Sequence, residues 1–593
     1  MSRIAGLVVL AVLMALVAAF PAGAVVPEPA KTPTAVGSGG SASTVDPLAT
    51  QTAIDVLRSG GNAVDAAVAA AGVLGVTEPF SCGIGGGGFM VVYDARRHKV
   101  DTIDSREAAP ARMKPNSLEP YKEPSQFTEA RVSGLSVGVP GTVAGWETAL
   151  KRYGSRPLRS LLRPAEVIGR EGFVIDKTFN GQVNDNKELF DDFTASRQLY
   201  LTAGDEAKPV GDVQTNPDLA DTYERIGDDP DRFYRGPIAR DIVQTVQHPP
   251  ESPDSDRPHE VHPGKMTPRD LKRYDAIRRD PTRVNYRGFD VFGMGPPSSG
   301  GSTVGEALNI LEALPPTANR TTVLHRYLEA SKLAYADRNA YLGDPAYFDV
   351  PLRGLLSDPF ARDRSGSIHD DRTLSTPQPA GNPYRYEHGH GHGHGRKPGT
   401  EEKARSTTHL TVADRWGNIV SYTFTIEQIG GNGMVVPGRG FLLNNELTDF
   451  NFVPGTANSP DGGKRPRSSM APTIVFDDGE PEVALGSPGG ATIITSVLQT
   501  LVNYIDFRQS LPDAVAAPRA SQRNSEPTPA EPAFIAQDGP PLQALGHSFT
   551  VVTPNPPAEI GAVEAIRFLP DGTQEAVAEP TRRGGGSAMV VNP

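Results

Sequence analysis

One cysteine, Cys82, in 593 residues leaves no intramolecular disulfide framework. Positive charge is also short. The 58 Lys and Arg face 70 Asp and Glu, a formal charge of −12, so the basic footprint that nucleic-acid binding needs is missing. Past residue 24 no stretch is long and apolar enough to span a bilayer. There is no H-E-x-x-H. His259-Glu260-Val261-His262 has the wrong spacing for that zinc motif and sits in a Pro-rich loop. What is present is ordinary for a soluble globular chain, 38% hydrophobic and 22% charged. The length allows about four domains of typical size. With 55 Pro and 62 Gly, long loops are expected rather than disorder.

The N-terminus reads as a secretory signal over 1–24. Arg3 supplies the positive region, Ile4 to Phe20 is apolar, and Ala22-Gly23-Ala24 is a small-residue cleavage site. The alternative, an uncleaved membrane anchor, is disfavoured by Pro21 and the A-x-A pattern that follows. No cysteine follows the apolar run, which argues against a lipid-anchored form. Residues 25–43 are rich in Pro, Gly, Ser and Ala and are expected to form a flexible lead-in, with the fold beginning near Ser43. Asp46 is a candidate N-cap for a helix to Leu57, and an Ala/Val-rich helix follows from Ala63 to Leu74. Gly83-Ile84-Gly85-Gly86-Gly87-Gly88 formally matches G-x-G-x-x-G. A dinucleotide site is rejected, because that fingerprint follows a strand and opens a helix. Here a helix precedes and the strand Phe89–Tyr93 follows. A tight backbone path against a buried site is expected instead.

A second strand, Lys99–Ile103, leads into Ser105-Arg106-Glu107. Glu329–Leu342 reads as an amphipathic helix, and Pro296-Pro297-Ser298-Ser299-Gly300-Gly301 as a rigid loop before another. Residues 365–405 are polar, with the run His388-Gly389-His390-Gly391-His392-Gly393-His394. Composition predicts a flexible tail, and alternating glycine offers no preorganised metal geometry. After Thr407, Thr408–Asp414 and Ile419–Thr425 are alternating strands around a turn at Trp416-Gly417-Asn418. Further strands are Thr473–Phe476, Val483–Leu485, Ala565–Phe568 and Ala588–Val591, with a long helix opened by Gly489-Gly490. Hairpin-joined strands beside helices predict packed antiparallel sheets flanked by helices.

The stretch Ser406-Thr407-Thr408-His409-Leu410-Thr411 supports two readings. β-branched alternation makes it an ordinary strand. It also places a threonine that could become N-terminal if the chain cut itself after Ser406. A threonine hydroxyl needs a base, and its own α-amine can supply one.

Ten blocks of text, in order from about residue 43 to the C-terminus, decide between them. They are GGNAVDAAVA, GGGGFM, DSREAAPA, VGVPGTV, PPSSGG, ADRNAYLGDP, STTHLTVAD, LLNNELTDF, RPRSSMAPT and GSPGGATI. Together they resemble the γ-glutamyltransferase (γ-glutamyltranspeptidase) family of N-terminal nucleophile hydrolases. The resemblance implies an α+β fold, a four-layer αββα sandwich, formed jointly by a large subunit (44–406) and a small catalytic subunit (407–593) after self-cleavage. It implies Thr407 as nucleophile, Ser406 as the last large-subunit residue, and Thr425 as the hydrogen-bond partner of the nucleophile. Gly489 and Gly490 match the oxyanion-hole N–H pair. Arg106, with Ser468 and Ser469 beside it, matches the grip on the donor's α-carboxylate. Glu427, Glu446 and Asp449 match the positions that hold its α-ammonium. The chemistry agrees, since arginine is a bidentate, permanently charged clamp for a carboxylate and acids suit an ammonium. The implied donors are glutathione and other γ-glutamyl compounds. The implied acceptors are water, amino acids and dipeptides. No metal or organic cofactor is implied.

The sequence departs from the commonest family pattern in three places. Glu427 stands where many members have asparagine, and a Bacillus-like subgroup shares this TIEQ text. Arg467 stands where leucine is usual. Asn451–Arg465 looks too short for the lid loop of many members, which predicts an open pocket. Alternatives within the family are a glutaryl-cephalosporin acylase and a poly-γ-glutamate depolymerase. An alternative outside it is a secreted metal-binding protein on an inactive scaffold, using His388–His394.

Overall fold

The computed structural model describes residues 25–255, 259–387, 406–552 and 559–593. Residues 1–24, read above as a secretory signal, and the His388–His394 run lie outside the described residues.

Thirteen strands form two antiparallel sheets joined through one shared strand. In chain order they are β1 (Thr34–Thr44), β2 (Gly87–Asp94), β3 (Lys99–Asp104), β4 (Ile277–Arg279), β5 (Thr282–Tyr286) and β6 (Phe289–Gly293), then β7 (Thr408–Asp414), β8 (Ile419–Thr425), β9 (Thr473–Asp477), β10 (Glu480–Gly486), β11 (Glu564–Phe568), β12 (Gln574–Val577) and β13 (Ser587–Asn592). The first sheet runs β4-β3-β2-β8-β7-β1-β13. The second runs β1-β12-β11-β10-β9-β6-β5. Thr34–Gly37 of β1 pairs in the second sheet, and Gly40–Thr44 pairs in the first.

This corrects the expected flexible lead-in over 25–43 from Thr34 onward, whereas 25–33 form neither helix nor strand. The small residues of β1 are strand residues, because the chain passes between β7 and β13, where larger side chains have no room. A Cβ on Gly37 would lie 2.8 Å from Val590 Cγ2.

Alternation sorts the strand residues between two cores. Met90, Val92, Leu410, Val412, Val420, Tyr422 and Phe424 face helices α1 (Pro47–Arg58), α2 (Ala63–Thr77), α3 (Thr142–Tyr153) and α4 (Leu158–Glu171). Phe89, Val91, Tyr93, Ala413 and Ile419 face the second sheet, whose residues share a core with α5 (Gly300–Glu312), α6 (Arg320–Tyr341) and α7 (Ile493–Ile505). The result is an α+β sandwich with helices outside two stacked sheets, each side chain set by the period of two along a strand. The predicted N-cap Asp46 is present, and a second cap was not foreseen. Asp46 accepts from the Ala49 amide at 2.8 Å, and Asn62 with Asp65 closes a capping box on α2.

Two further expectations are corrected. α6 is not amphipathic. Its polar residues His325, Arg326, Glu329, Lys332, Asp337 and Arg338 are buried, and their polar atoms are met locally, as where Lys332 Nζ donates to Leu374 O at 2.9 Å. The polar stretch after residue 365 is also packed as far as Glu387, where the chain closes on Gly354 through a 2.7 Å hydrogen bond. Polar composition misleads here because a few apolar side chains, Ile368, Leu374, Tyr384 and Tyr386, pack on the core while hydrogen bonds hold the polar residues between them.

Candidate active site

β7 and β8 form a hairpin whose last pair is Thr408 with Phe424, and Thr407, one residue before β7, comes beside Thr425. Thr407 Oγ1 and Thr425 Oγ1 lie 3.3 Å apart, and Thr407 Oγ1 also contacts the Ser406 carbonyl oxygen. Thr425 Oγ1 in turn accepts from the Glu427 amide at 2.8 Å. One step along the same face, His409 Nδ1 and Thr423 Oγ1 lie 2.7 Å apart. Burial pulls the His409 pKa down to about 3, so this imidazole stays neutral and acts as strand packing.

The glycine run lies against this hairpin, as the sequence predicted. A Cβ on Gly86 would collide with the Thr425 carbonyl, and one on Gly88 would come within 2.5 Å of the Thr423 carbonyl. Gly86→Ala is therefore expected to push β2 off β8. Overpacking of this kind costs about 1–3 kcal/mol. It should lower the unfolding temperature by a few degrees, read by differential scanning calorimetry against wild type.

Thr407 opens onto a small cavity lined by Arg106, Ser406, Thr425, Glu427, Glu446, Asp449, Ser468, Ser469 and Gly490. Every side-chain candidate from the sequence thus lines one cavity. Gly489 adjoins it through Gly490. Both have positive φ, 134° and 55°, and they open the short 3-10 turn Gly490–Thr492 that leads into α7. Such a turn aims backbone N–H groups and a helix N-terminus at one spot, where negative charge is favoured.

The charged residues contact one another. Arg106 contacts Glu446 through Nη1 and Asp449 through Nη2. It also donates to the Pro466 carbonyl at 3.1 Å and the Arg467 carbonyl at 2.9 Å. The two acids sit on the short 3-10 helix Glu446–Asp449. Glu446 Oε2 is buried without a hydrogen-bond partner. Glu427 adopts φ 81° and takes a hydrogen bond from Asn445 Nδ2. Burial, then the charge of Asp449, holds its carboxyl well above the usual range, while Arg131 opposes them.

The expected open pocket is not what the uncut chain has. Arg106 and Glu446 are each 1% exposed and Thr407 is 3% exposed. Ala109, Met113 and Leu118 pack on Leu447 and Phe450 beside the site. The segment 451–465 is short, as read, but it lies fastened to 109–111. Ala109 N donates to Lys464 O at 2.8 Å and Gly463 N to Ala109 O at 2.9 Å.

Sequence reasoning missed the layer behind the serines. Arg338 of α6 is buried and donates to Ser469 Oγ at 2.7 Å and Ser299 Oγ at 2.8 Å. Ser299 Oγ donates to the Ser468 carbonyl at 2.6 Å. The blocks ADRNAYLGDP and PPSSGG were the available signal. Arg467, whose role the sequence left open, is fully buried and reaches the Arg338 carbonyl at 3.4 Å. It therefore belongs to this same layer. Arg131 was also missed. It donates to the Ile429 and Gly431 carbonyls at 2.6 and 2.9 Å, bracing the loop that begins at Glu427.

A family model described as Gamma-glutamyltranspeptidase matches residues 49–589. The chain is 39% identical to a glutathione hydrolase proenzyme of Bacillus subtilis strain 168, over 94% of this chain and 92% of that protein. It is 34% identical to a glutathione hydrolase proenzyme of Escherichia coli K12, over 91% and 90%. Its fold is similar to the crystal structure of a cephalosporin acylase from Bacillus halodurans, with TM-score 0.80 and 28% identity over 95% of this chain and 98% of that one.

Proposed function

The chain belongs to the gamma-glutamyltranspeptidase family, and on that premise we propose that it cuts itself between Ser406 and Thr407 and then cleaves γ-glutamyl amides such as glutathione. The observation that carries this reading is the meeting of the Thr407 hydroxyl with the Ser406 carbonyl and the Thr425 hydroxyl, in one cavity with Arg106 and its two acids.

In processing, Thr407 Oγ1 attacks the Ser406 carbonyl carbon. The C–N bond breaks, the Thr407 nitrogen takes a proton, and an ester remains. Water hydrolyses the ester to a Ser406 carboxylate and a free Thr407 amine. The fragments on either side of the Ser406–Thr407 bond stay together because each sheet interleaves strands from both, β1 (Thr34–Thr44) among them. In turnover the Thr407 amine takes the proton of its own hydroxyl. An α-amine pKa of about 7.7–8.0 suits that task. The hydroxyl attacks the donor's γ-carbonyl, and the Gly489 and Gly490 amides hold the oxyanion. Losing one such donor typically costs about 3–4 kcal/mol. Arg106, Ser468 and Ser469 take the α-carboxylate, while Glu427, Glu446 and Asp449 take the α-ammonium. The donor's C–N bond breaks, its amine leaves with the proton held by the Thr407 α-amine, and water, an amino acid or a dipeptide then accepts the γ-glutamyl group from the Thr407 ester. The segment 1–24 exports the chain.

The acylase alternative is separated by the ammonium. A glutaryl group has the carboxylate but no ammonium, and leaves Glu446 Oε2 unpaired. Sites with unfilled buried polar groups reject the deficient analogue by up to about 10⁴-fold. Hydrolysis of γ-glutamyl and glutaryl p-nitroanilides is therefore expected to favour γ-glutamyl by at least about 10²-fold in kcat/KM. Preference for glutaryl overturns the assignment.

A further inference from the structure

We propose that Arg583 is a positioning residue for the nucleophile, fixing the Thr407 carbonyl and setting a positive charge beside the α-amine that processing creates. The inference rests on the reading of Thr407 given above.

Arg583 Nη1 donates to the Thr407 carbonyl at 2.6 Å, and Nη2 donates to Ser81 Oγ at 2.7 Å. Glu78 Oε2 lies 3.7 Å from Nη2. The Arg583 amide is tied to Glu559 Oε2 at 2.7 Å. The residue adopts φ 55° and ψ 33°, a left-handed conformation that a bulky side chain keeps only where its surroundings over-determine it. Segments from the two ends of the chain thus converge on one carbonyl. The same N-terminal segment faces Ser406, whose Oγ lies 3.4 Å from the Phe80 carbonyl.

This contact matters most after the cut. Thr407 precedes the first residue of β7, Thr408, and in the uncut chain it is held from both sides. Cleavage removes the N-terminal tether, and free termini fray unless tied down. Beside the side-chain contact with Thr425, the Arg583–carbonyl hydrogen bond is a tie that remains on the backbone of the residue carrying both nucleophile and base. A neighbouring cation also disfavours the protonated amine, so more of it is free base at neutral pH. The other charged groups around Thr407 are Arg106, Glu427, Glu446 and Asp449 across the cavity. Glu78 and Glu559 lie behind Arg583. Arg106 is matched by its two acids, and burial drives Glu427 toward its neutral form. Glu78, pushed up to about 7 by burial, cancels part of the Arg583 charge above neutrality and little of it below.

The test uses purified full-length wild type, Arg583→Met, Arg583→Lys and Glu78→Gln. Processing is read by intact mass, folding by thermal unfolding, and turnover as kcat, KM and their pH profiles. In Arg583→Met, kcat is expected to fall about 10²-fold, the cost of a misplacement near 1 Å, with KM unchanged. The acidic limb of kcat/KM should move up by about half to one pH unit. Arg583→Lys restores the limb and at least about tenfold of the rate, since it keeps the charge but not the fork. Glu78→Gln moves the limb down. A folded Arg583→Met that stays uncut while the Lys variant cuts also supports the proposal. Wild-type kcat and pH profile in a folded Arg583→Met overturn it. If that variant fails to fold, an unmoved limb in Glu78→Gln overturns it, and a downward shift there supports it. An inactive, uncut wild type is a different result, because it removes Thr407 as the nucleophile.

Discussion

Thr407→Ala is expected to give one uncut chain where wild type gives two fragments split at Ser406/Thr407, and to hydrolyse no γ-glutamyl anilide. The substitution removes the hydroxyl in contact with the Ser406 carbonyl, and with it the α-amine that only cleavage produces. Nucleophile and base are lost together, so the loss should match removal of a whole catalytic unit, about 10⁶-fold in kcat. Thr407→Ser keeps hydroxyl and amine but loses the methyl that limits rotation about χ1. It is expected to cut and turn over more slowly, by about one or two orders of magnitude. Intact-mass spectrometry under denaturing conditions reads the first step, and anilide hydrolysis reads the second. An alanine variant that still splits at this bond removes Thr407 from the mechanism. A wild type that stays whole after long incubation removes the self-processing reading altogether.

The cavity shows which parts of the site were legible in the sequence. The reactive hairpin was, because β-branched alternation over Thr408–Asp414 and Ile419–Thr425 fixes two adjacent strands, and their register brings Thr407 opposite Thr425. The glycine run was too, because only residues without a Cβ let β2 approach the Thr425 carbonyl. Arg338 and Arg131 were not. Each acts through a partner far away in sequence, Ser469 in one case and the 429–431 backbone in the other, and no local pattern announces such a pairing. β1 was misread for a related reason. A Gly/Ser/Ala strand carries no propensity signal, and its partners β12 and β13 lie more than 500 residues away.

Arg106→Met is expected to cost both stability and activity, and the pattern of loss separates two roles for the acids that face it. In the donor-free chain Arg106 is the counterion of Glu446 and Asp449. Binding a zwitterionic head exchanges partners without changing net charge. On the proposed reading, the donor's carboxylate would replace the acids on the guanidinium, and its ammonium would replace the guanidinium on the acids. Removing the cation leaves the acids buried and uncompensated. Breaking a buried pair from one side typically costs about 3–5 kcal/mol, so the unfolding temperature should fall. It also removes the carboxylate clamp, and kcat/KM should fall by about 10³–10⁴-fold. Glutaryl and γ-glutamyl anilides share that carboxylate, so both should lose activity together. Glu446→Gln tests the other half. It keeps Arg106 and removes one charge that an ammonium would meet, so γ-glutamyl hydrolysis should fall by about 10–10²-fold while glutaryl hydrolysis holds or rises. Equal losses with the two anilides would instead make Glu446 only the partner that holds Arg106 in place. The ammonium would then be held by Glu427 and Asp449 alone.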